Sequence, residues 1–176
     1  SSLHRQVGLN DQQQSSLYAY RGHLFQPVND HLRNSPHFDE DWPAGERDRV
    51  IERLVGLDSA MARSPLRSDV VMHRGTEAGR TLFGGRLSGD LTGFSWREDA
   101  YVSTSSRQDI AERFAATDYA TPEKPGKVVM RILVPKGTGA VELSDDSYEA
   151  ELLLQRGLGM RVAVDRGYDE RGVRYL

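Results

Sequence analysis

The chain has 176 residues, with 23 Lys and Arg against 26 Asp and Glu, a formal net charge of -3 and 38% hydrophobic residues, which suits one domain with an ordinary core. It contains no Cys, which excludes disulfide scaffolds, thiolate nucleophiles and Cys-ligated metal centres. The slight negative balance offers no broad electrostatic footprint for a nucleic acid, and no apolar run of about 18 residues or signal-peptide pattern marks a membrane span or leader. A start at Ser suggests a piece excised from something longer.

Residues 1–64 read as helical. Leu17, Tyr20, Leu24, Val28 and Leu32 recur in steps that trace one helical face, which Gly22 and Pro27 are expected to kink or divide. Between Gly45 and Ser64, the stripe Val50, Ile51, Leu54, Leu57 and Met61 opposes Glu46, Arg49, Glu52 and Arg53, and Pro65 follows the expected helix end. From residue 65 to 176 the texture changes to β-branched runs broken by Gly. Strands are expected at Val70–Arg74, Ala100–Thr104, Lys127–Val134, Ala140–Glu142, Glu149–Leu154, Met160–Val164 and Val173–Leu176. One helix around Asp109–Ala115 interrupts them. The Gly-rich stretch Gly79–Gly93 is expected to be a mobile loop. Turns rather than regular helices between the strands predict an antiparallel or mixed sheet, hence an α+β fold.

No phosphate-binding P-loop, dinucleotide-binding glycine fingerprint or hydrolase nucleophile elbow is present, and the five His lack zinc-ligand spacing. Three segments instead place polar residues at the ends of apolar strands. In Val70-Val71-Met72-His73-Arg74-Gly75, the Arg74 guanidinium can meet a phosphate or carboxylate with its planar fork, and Gly75 admits a ligand close to the backbone. The plainer alternative is a surface Arg before a turn. In Ala100-Tyr101-Val102-Ser103-Thr104-Ser105, consecutive hydroxyls can orient a ligand or a neighbouring carboxylate, or merely cap the helix that follows. In Tyr148-Glu149-Ala150-Glu151-Leu152-Leu153-Leu154, strand alternation puts Glu149 and Glu151 on one face. An exposed edge strand with solvated Glu is the competing reading, and the adjoining Leu run argues for burial instead.

The order is Arg74, then Ser-Thr-Ser starting 29 positions later at Ser103, then Glu-x-Glu ending 48 positions after that at Glu151. In this order the sequence resembles the mono-ADP-ribosyltransferases of the Arg-Ser-Glu class, which include bacterial exoenzymes and binary toxins. The resemblance covers most of the chain: Tyr20…Asn29…Leu32 looks like the family's N-terminal helix, and Ala111…Phe114 like the helix after its Ser-Thr-Ser strand. One departure is Leu154-Gln155-Arg156-Gly157, where the family often has Pro after the Leu pair.

The resemblance implies N-terminal helices packed on a split two-sheet β core with a central cleft for NAD, which is the substrate, and no metal. It implies that Arg74 holds the NAD phosphates, that the Gly75 backbone grips the nicotinamide amide, and that Ser103 bonds the catalytic carboxylate or the ribose, with Thr104 and Ser105 supporting the strand. Glu151 is then the catalytic residue, Glu149 the residue that selects arginine as acceptor, and Tyr148 the aromatic contact of a target-recognition turn. The whole of 1–176 is read as one catalytic domain of a secreted or translocated effector acting in a target-cell cytoplasm, with a protein substrate and a cognate inhibitor or immunity protein as partners. Modification of a nucleic-acid base or nucleotide, plain NAD hydrolysis and a non-catalytic NAD- or partner-binding module are the alternatives.

Overall fold

A capping box sets the first helix. In the computed structural model, which describes residues 8–20, 29, 32, 44–76, 83, 89–115, 127–143 and 151–176, Asn10 accepts from the Gln13 backbone N–H at 2.9 Å while its own N–H donates to Gln13 Oε1 at 2.8 Å. Helix α1 (Asp11–Ala19) therefore starts well before the apolar stripe at Leu17. The expected break at Gly22 and Pro27 lies outside the described residues. Helix α2 spans Ala44–Ala62 and buries Val50, Leu57, Ala60 and Met61, whereas Ile51 of the expected stripe faces solvent at 42% exposure. The two helices cross closely at Gly56, where a Cβ would stand 2.0 Å from Ser16 Oγ.

The strands are β1 (Val70–Thr76), β2 (Ser95–Glu98), β3 (Val102–Ser105), β4 (Val128–Val134), β5 (Ala140–Glu142), β6 (Glu151–Leu154), β7 (Leu158–Arg161), β8 (Gly167–Tyr168) and β9 (Arg174–Tyr175), with α3 (Gln108–Ala115) after β3. Seven of them form one sheet in the order β5-β6-β3-β1-β4-β9-β8, and β2 pairs with β7 in a second. Among the described strands only β4 and β9 run parallel, so the large sheet is mixed and the fold is α+β, as the turn-separated strands predict. Strand β7 begins at Leu158, before the expected Met160–Val164, because its partner is β2, with Glu98 opposite Leu158. Neither β2 nor β8 is marked by a run of β-branched residues, and both rest on pairing with a partner strand.

Alternation divides the sheet. Leu153, Tyr101, Val141 and Leu143 pack with Leu17, Tyr20, Val50, Leu57 and Met61 of the helices, while Leu152, Leu154, Val102, Val70, Met72 and Val134 join a cluster on the other side. Glu151 shares the pleat direction of Leu153, which turns it towards the helical layer. The described end of the Gly-rich stretch is anchored rather than mobile: Leu91 is 1% exposed, its N–H donates to Asp165 at 2.9 Å, and the Gly93 N–H donates to the Val162 carbonyl at 2.7 Å. An apolar side chain at 91 and matched backbone donors outweigh glycine's conformational freedom.

Candidate active site

Strand pairing brings the three polar segments together. Ser105 of β3 is the cross-strand partner of His73 in β1 and of Glu151 in β6, so His73, Ser105 and Glu151 form one line across three strands. Arg74 and Gly75 follow on β1. A cavity of about 240 Å³ lies over this line, lined by His73, Arg74, Gly75, Tyr101, Ser103, Thr104, Ser105, Glu151, Ala111 of α3 and Asn29. It therefore gathers every sequence-predicted site residue except Glu149 and Tyr148, which lie outside the described residues. A larger cavity, of about 500 Å³, is lined mainly by apolar residues such as Trp96, Val102, Ile132, Leu154 and Met160, and none of the predicted site residues borders it.

The hydroxyls at 103–105 have different surroundings. Thr104 is buried and donates to the Leu152 carbonyl at 2.7 Å, tying β3 to β6. Ser105 is buried as well, and its Oγ accepts from the Arg107 N–H at 3.1 Å at the start of α3. That bond closes a turn just ahead of α3, whose first residue is Gln108, and does not cap the helix itself; Ser105 also lines the cavity. Ser103 is the exposed one. Gly75 has a packing reason beyond any ligand: a Cβ there would stand 1.7 Å from the Ala111 carbonyl oxygen and 2.9 Å from the Ala115 nitrogen. Helix α3 lies directly on this strand because position 75 carries no side chain.

Three further cavity residues, Asn29, His73 and Tyr101, stand in segments quoted from the sequence but receive no role from it. Tyr101 donates to Asp58 Oδ1 at 2.6 Å, and Arg156 holds the same carboxylate with its fork at 3.0 and 2.7 Å. Burial, then the bond to Asp58, pushes the Tyr101 phenol far above its ordinary range. Its ring meets Tyr20 edge-on at 5.8 Å, and Tyr20 in turn accepts from the Asn29 side-chain amide at 2.7 Å. Asn29 Oδ1 and His73 Nδ1 are both buried without a hydrogen-bond partner among the described residues. Burial, reinforced by Arg131 and Arg166 and opposed by Glu112, holds His73 below its ordinary 6.5. No local pattern announces these residues as a group, since 29, 73 and 101 meet only through the fold.

The cavity can do specific chemistry. It carries a guanidinium, a carboxylate, an exposed hydroxyl and two buried acceptors awaiting donors, which suits one end of a long, hydroxyl-bearing phosphate ligand. Among known proteins, the family described as ADP-ribosyltransferase exoenzyme matches residues 2–175. NAD(+)--arginine ADP-ribosyltransferase EFV of Enterococcus faecalis is 28% identical over 161 residues, covering 90% of this chain but only 30% of the relative's length. Among solved structures, ADP-ribosyltransferase Vis in complex with agmatine aligns with a TM-score of 0.74 at 20% identity, covering 95% of this chain and 73% of that one. The ADP-ribosylating toxin BECa of the binary enterotoxin of C. perfringens, solved with NADH, aligns with a TM-score of 0.68 at 19% identity, covering 95% and 43%. These structures share the fold.

Proposed function

Because this chain belongs to the ADP-ribosyltransferase exoenzyme family, we propose that it cleaves NAD and transfers ADP-ribose to an arginine side chain of a protein. The observation that supports this reading is the convergence of Arg74, Ser103 and Glu151, far apart in sequence, on one cavity. The arginine acceptor rests on Glu149 and on likeness to a relative named as an arginine ADP-ribosyltransferase. The chain 1–176 acts as one catalytic unit, in a secreted or translocated effector whose target is a protein and for which an inhibitor or immunity protein is a natural counterpart.

The residues divide the work by charge. Arg74 offers paired N–H donors to the diphosphate, which fixes the substrate without taking part in bond breaking. Heterolysis of the bond between nicotinamide nitrogen and ribose C1′ leaves the electron pair on nicotinamide and positive charge on the ribose, the same demand that glycosidases meet with carboxylates. Glu151 supplies the negative charge where that cation develops, and Ser103 orients the carboxylate or the ribose. Glu149 then holds the incoming guanidinium and takes the proton it loses as its nitrogen bonds C1′. The products are nicotinamide, ADP-ribosyl-arginine and a proton.

Labelled NAD with agmatine as acceptor tests the proposal. The wild type is expected to release nicotinamide and label agmatine; Glu149→Gln keeps NAD hydrolysis and loses agmatine labelling. Transfer undiminished in Glu149→Gln overturns the arginine assignment, and undiminished NAD cleavage in Glu151→Gln overturns the mechanism.

A further inference from the structure

We propose that His73 is a substrate-binding residue of this site, its Nδ1 accepting a hydrogen bond from a hydroxyl or amide donor on the nicotinamide-ribose half of NAD. The inference rests on the NAD reading above and concerns a residue which that reading does not use. His73 lines the same cavity as Glu151 and stands in register with Ser105, which in turn faces Glu151. The two side chains flank Ser105 at two strand spacings, roughly 10 Å apart, so a nicotinamide-ribose unit lying over Ser105 reaches both.

A buried acceptor with nothing to accept is costly, because its desolvation is not repaid. With the imidazole proton on Nε2, His73 Nδ1 is such an atom, and Asn29 Oδ1 is a second; both residues line the same cavity. Two unmatched acceptors over one cavity call for a ligand rich in donors, and a carboxamide and ribose hydroxyls provide them. The surroundings also keep the imidazole neutral, so that Nδ1 can accept. Among the described residues, burial, Arg131 opposite it on β4 and Arg166 oppose protonation, while Glu112 on α3 favours it; Arg74 adjoins it on β1 and Glu151 faces the same cavity from β6. Protonation turns Nδ1 from acceptor to donor, which removes the bond and sets a second cation beside a developing one.

Two substitutions test this, with NAD affinity by calorimetry and steady-state NAD hydrolysis as readouts. Asn at 73 puts a non-titrating amide oxygen near the place of Nδ1, whereas Leu removes the acceptor. His73→Leu is expected to raise the NAD dissociation constant and KM about tenfold, and His73→Asn to recover most of that loss. Wild-type affinity is expected to fall with falling pH as His73 takes up a proton, which its surroundings delay to more acidic pH than for an ordinary imidazole, and His73→Asn is expected to lack that component of the fall. Equal affinity and the same pH profile in His73→Leu overturn the inference while leaving NAD cleavage standing. Loss of affinity in His73→Leu that His73→Asn does not recover assigns His73 a packing role and overturns it too. Wild-type protein that neither binds nor cleaves NAD overturns both readings together.

Discussion

Glu151 is the residue on which the proposed chemistry turns, and its removal has a size. A preorganised charge at a developing cation is worth about 3 kcal/mol or more, so Glu151→Gln is expected to slow NAD cleavage at least a hundredfold while leaving the melting temperature nearly unchanged, as thermal unfolding alongside the activity assay will show. The neighbouring hydroxyls separate function from support. Thr104→Val leaves the buried Leu152 carbonyl without its 2.7 Å donor and is expected to cost about 1–2 kcal/mol in urea unfolding. Ser103→Ala, at an exposed position, is expected to leave stability alone and lower NAD turnover. The Ser-Thr-Ser run was legible as a candidate site from its residue types, but which hydroxyl is spent on the backbone depends on the pairing of β3 with β6. A unit step in register would exchange the roles of Thr104 and its neighbours.

At the level of elements, two glycines set how closely layers approach. Gly75→Ala places a Cβ against the backbone of α3 at Ala111 and Ala115, and neither partner can turn aside. It is expected to cost about 3 kcal/mol and to displace the strand end that carries Arg74, measured as a lower urea midpoint together with lost NAD affinity. At Gly56 the nearest atom is the Ser16 hydroxyl, which can rotate, although its Cβ cannot; the helix propensity gained by Ala offsets part of the cost there. Gly56→Ala is therefore expected to be the milder change by at least 1 kcal/mol in the same measurement. The α2 and α3 helices were legible from periodicity and their flanking residues. Strands β2 and β8 were not, because Ser95-Trp96-Arg97-Glu98 and Gly167-Tyr168 gain their extended form from partners, β7 and β9, remote or weakly patterned in sequence.

The molecule as a whole is tied at its C-terminal end by a buried ion pair. Arg174 and Asp165, each with a 4% exposed side chain, bond to one another; Arg174 also donates to the Gly89 carbonyl and lies over the Tyr168 ring at 4.8 Å. Asp165 accepts further from the Leu91 and Gly167 N–H groups at 2.9 and 3.0 Å. Burial by itself would raise the Asp165 carboxyl, but Arg174 and these two N–H groups outweigh it and bring it from 3.8 down to about 2. Because the folded value is the lower one, the stabilisation is complete above the unfolded value and fades as pH falls from about 5 towards 2. It amounts to about 2.5 kcal/mol by linkage. Denaturant unfolding at a series of pH values is expected to show that loss in the wild type and a shallower one in Asp165→Asn, which begins less stable because Arg174 keeps its buried charge without a counterion. The sequence by itself determined the α+β class and helices α2 and α3, and it pointed to Arg74, Ser103 and Glu151 as candidates, since period, turn residues and residue chemistry are local properties. Only the tertiary structure decided that His73, Ser105 and Glu151 share one line, that Asn29 and Tyr101 line the same cavity, that Gly75 serves the packing of α3, and that Asp165 and Arg174 hold the described end of the glycine-rich stretch at Gly89 and Leu91. Register and burial depend on what distant segments bring to the same place, and no window of sequence contains that.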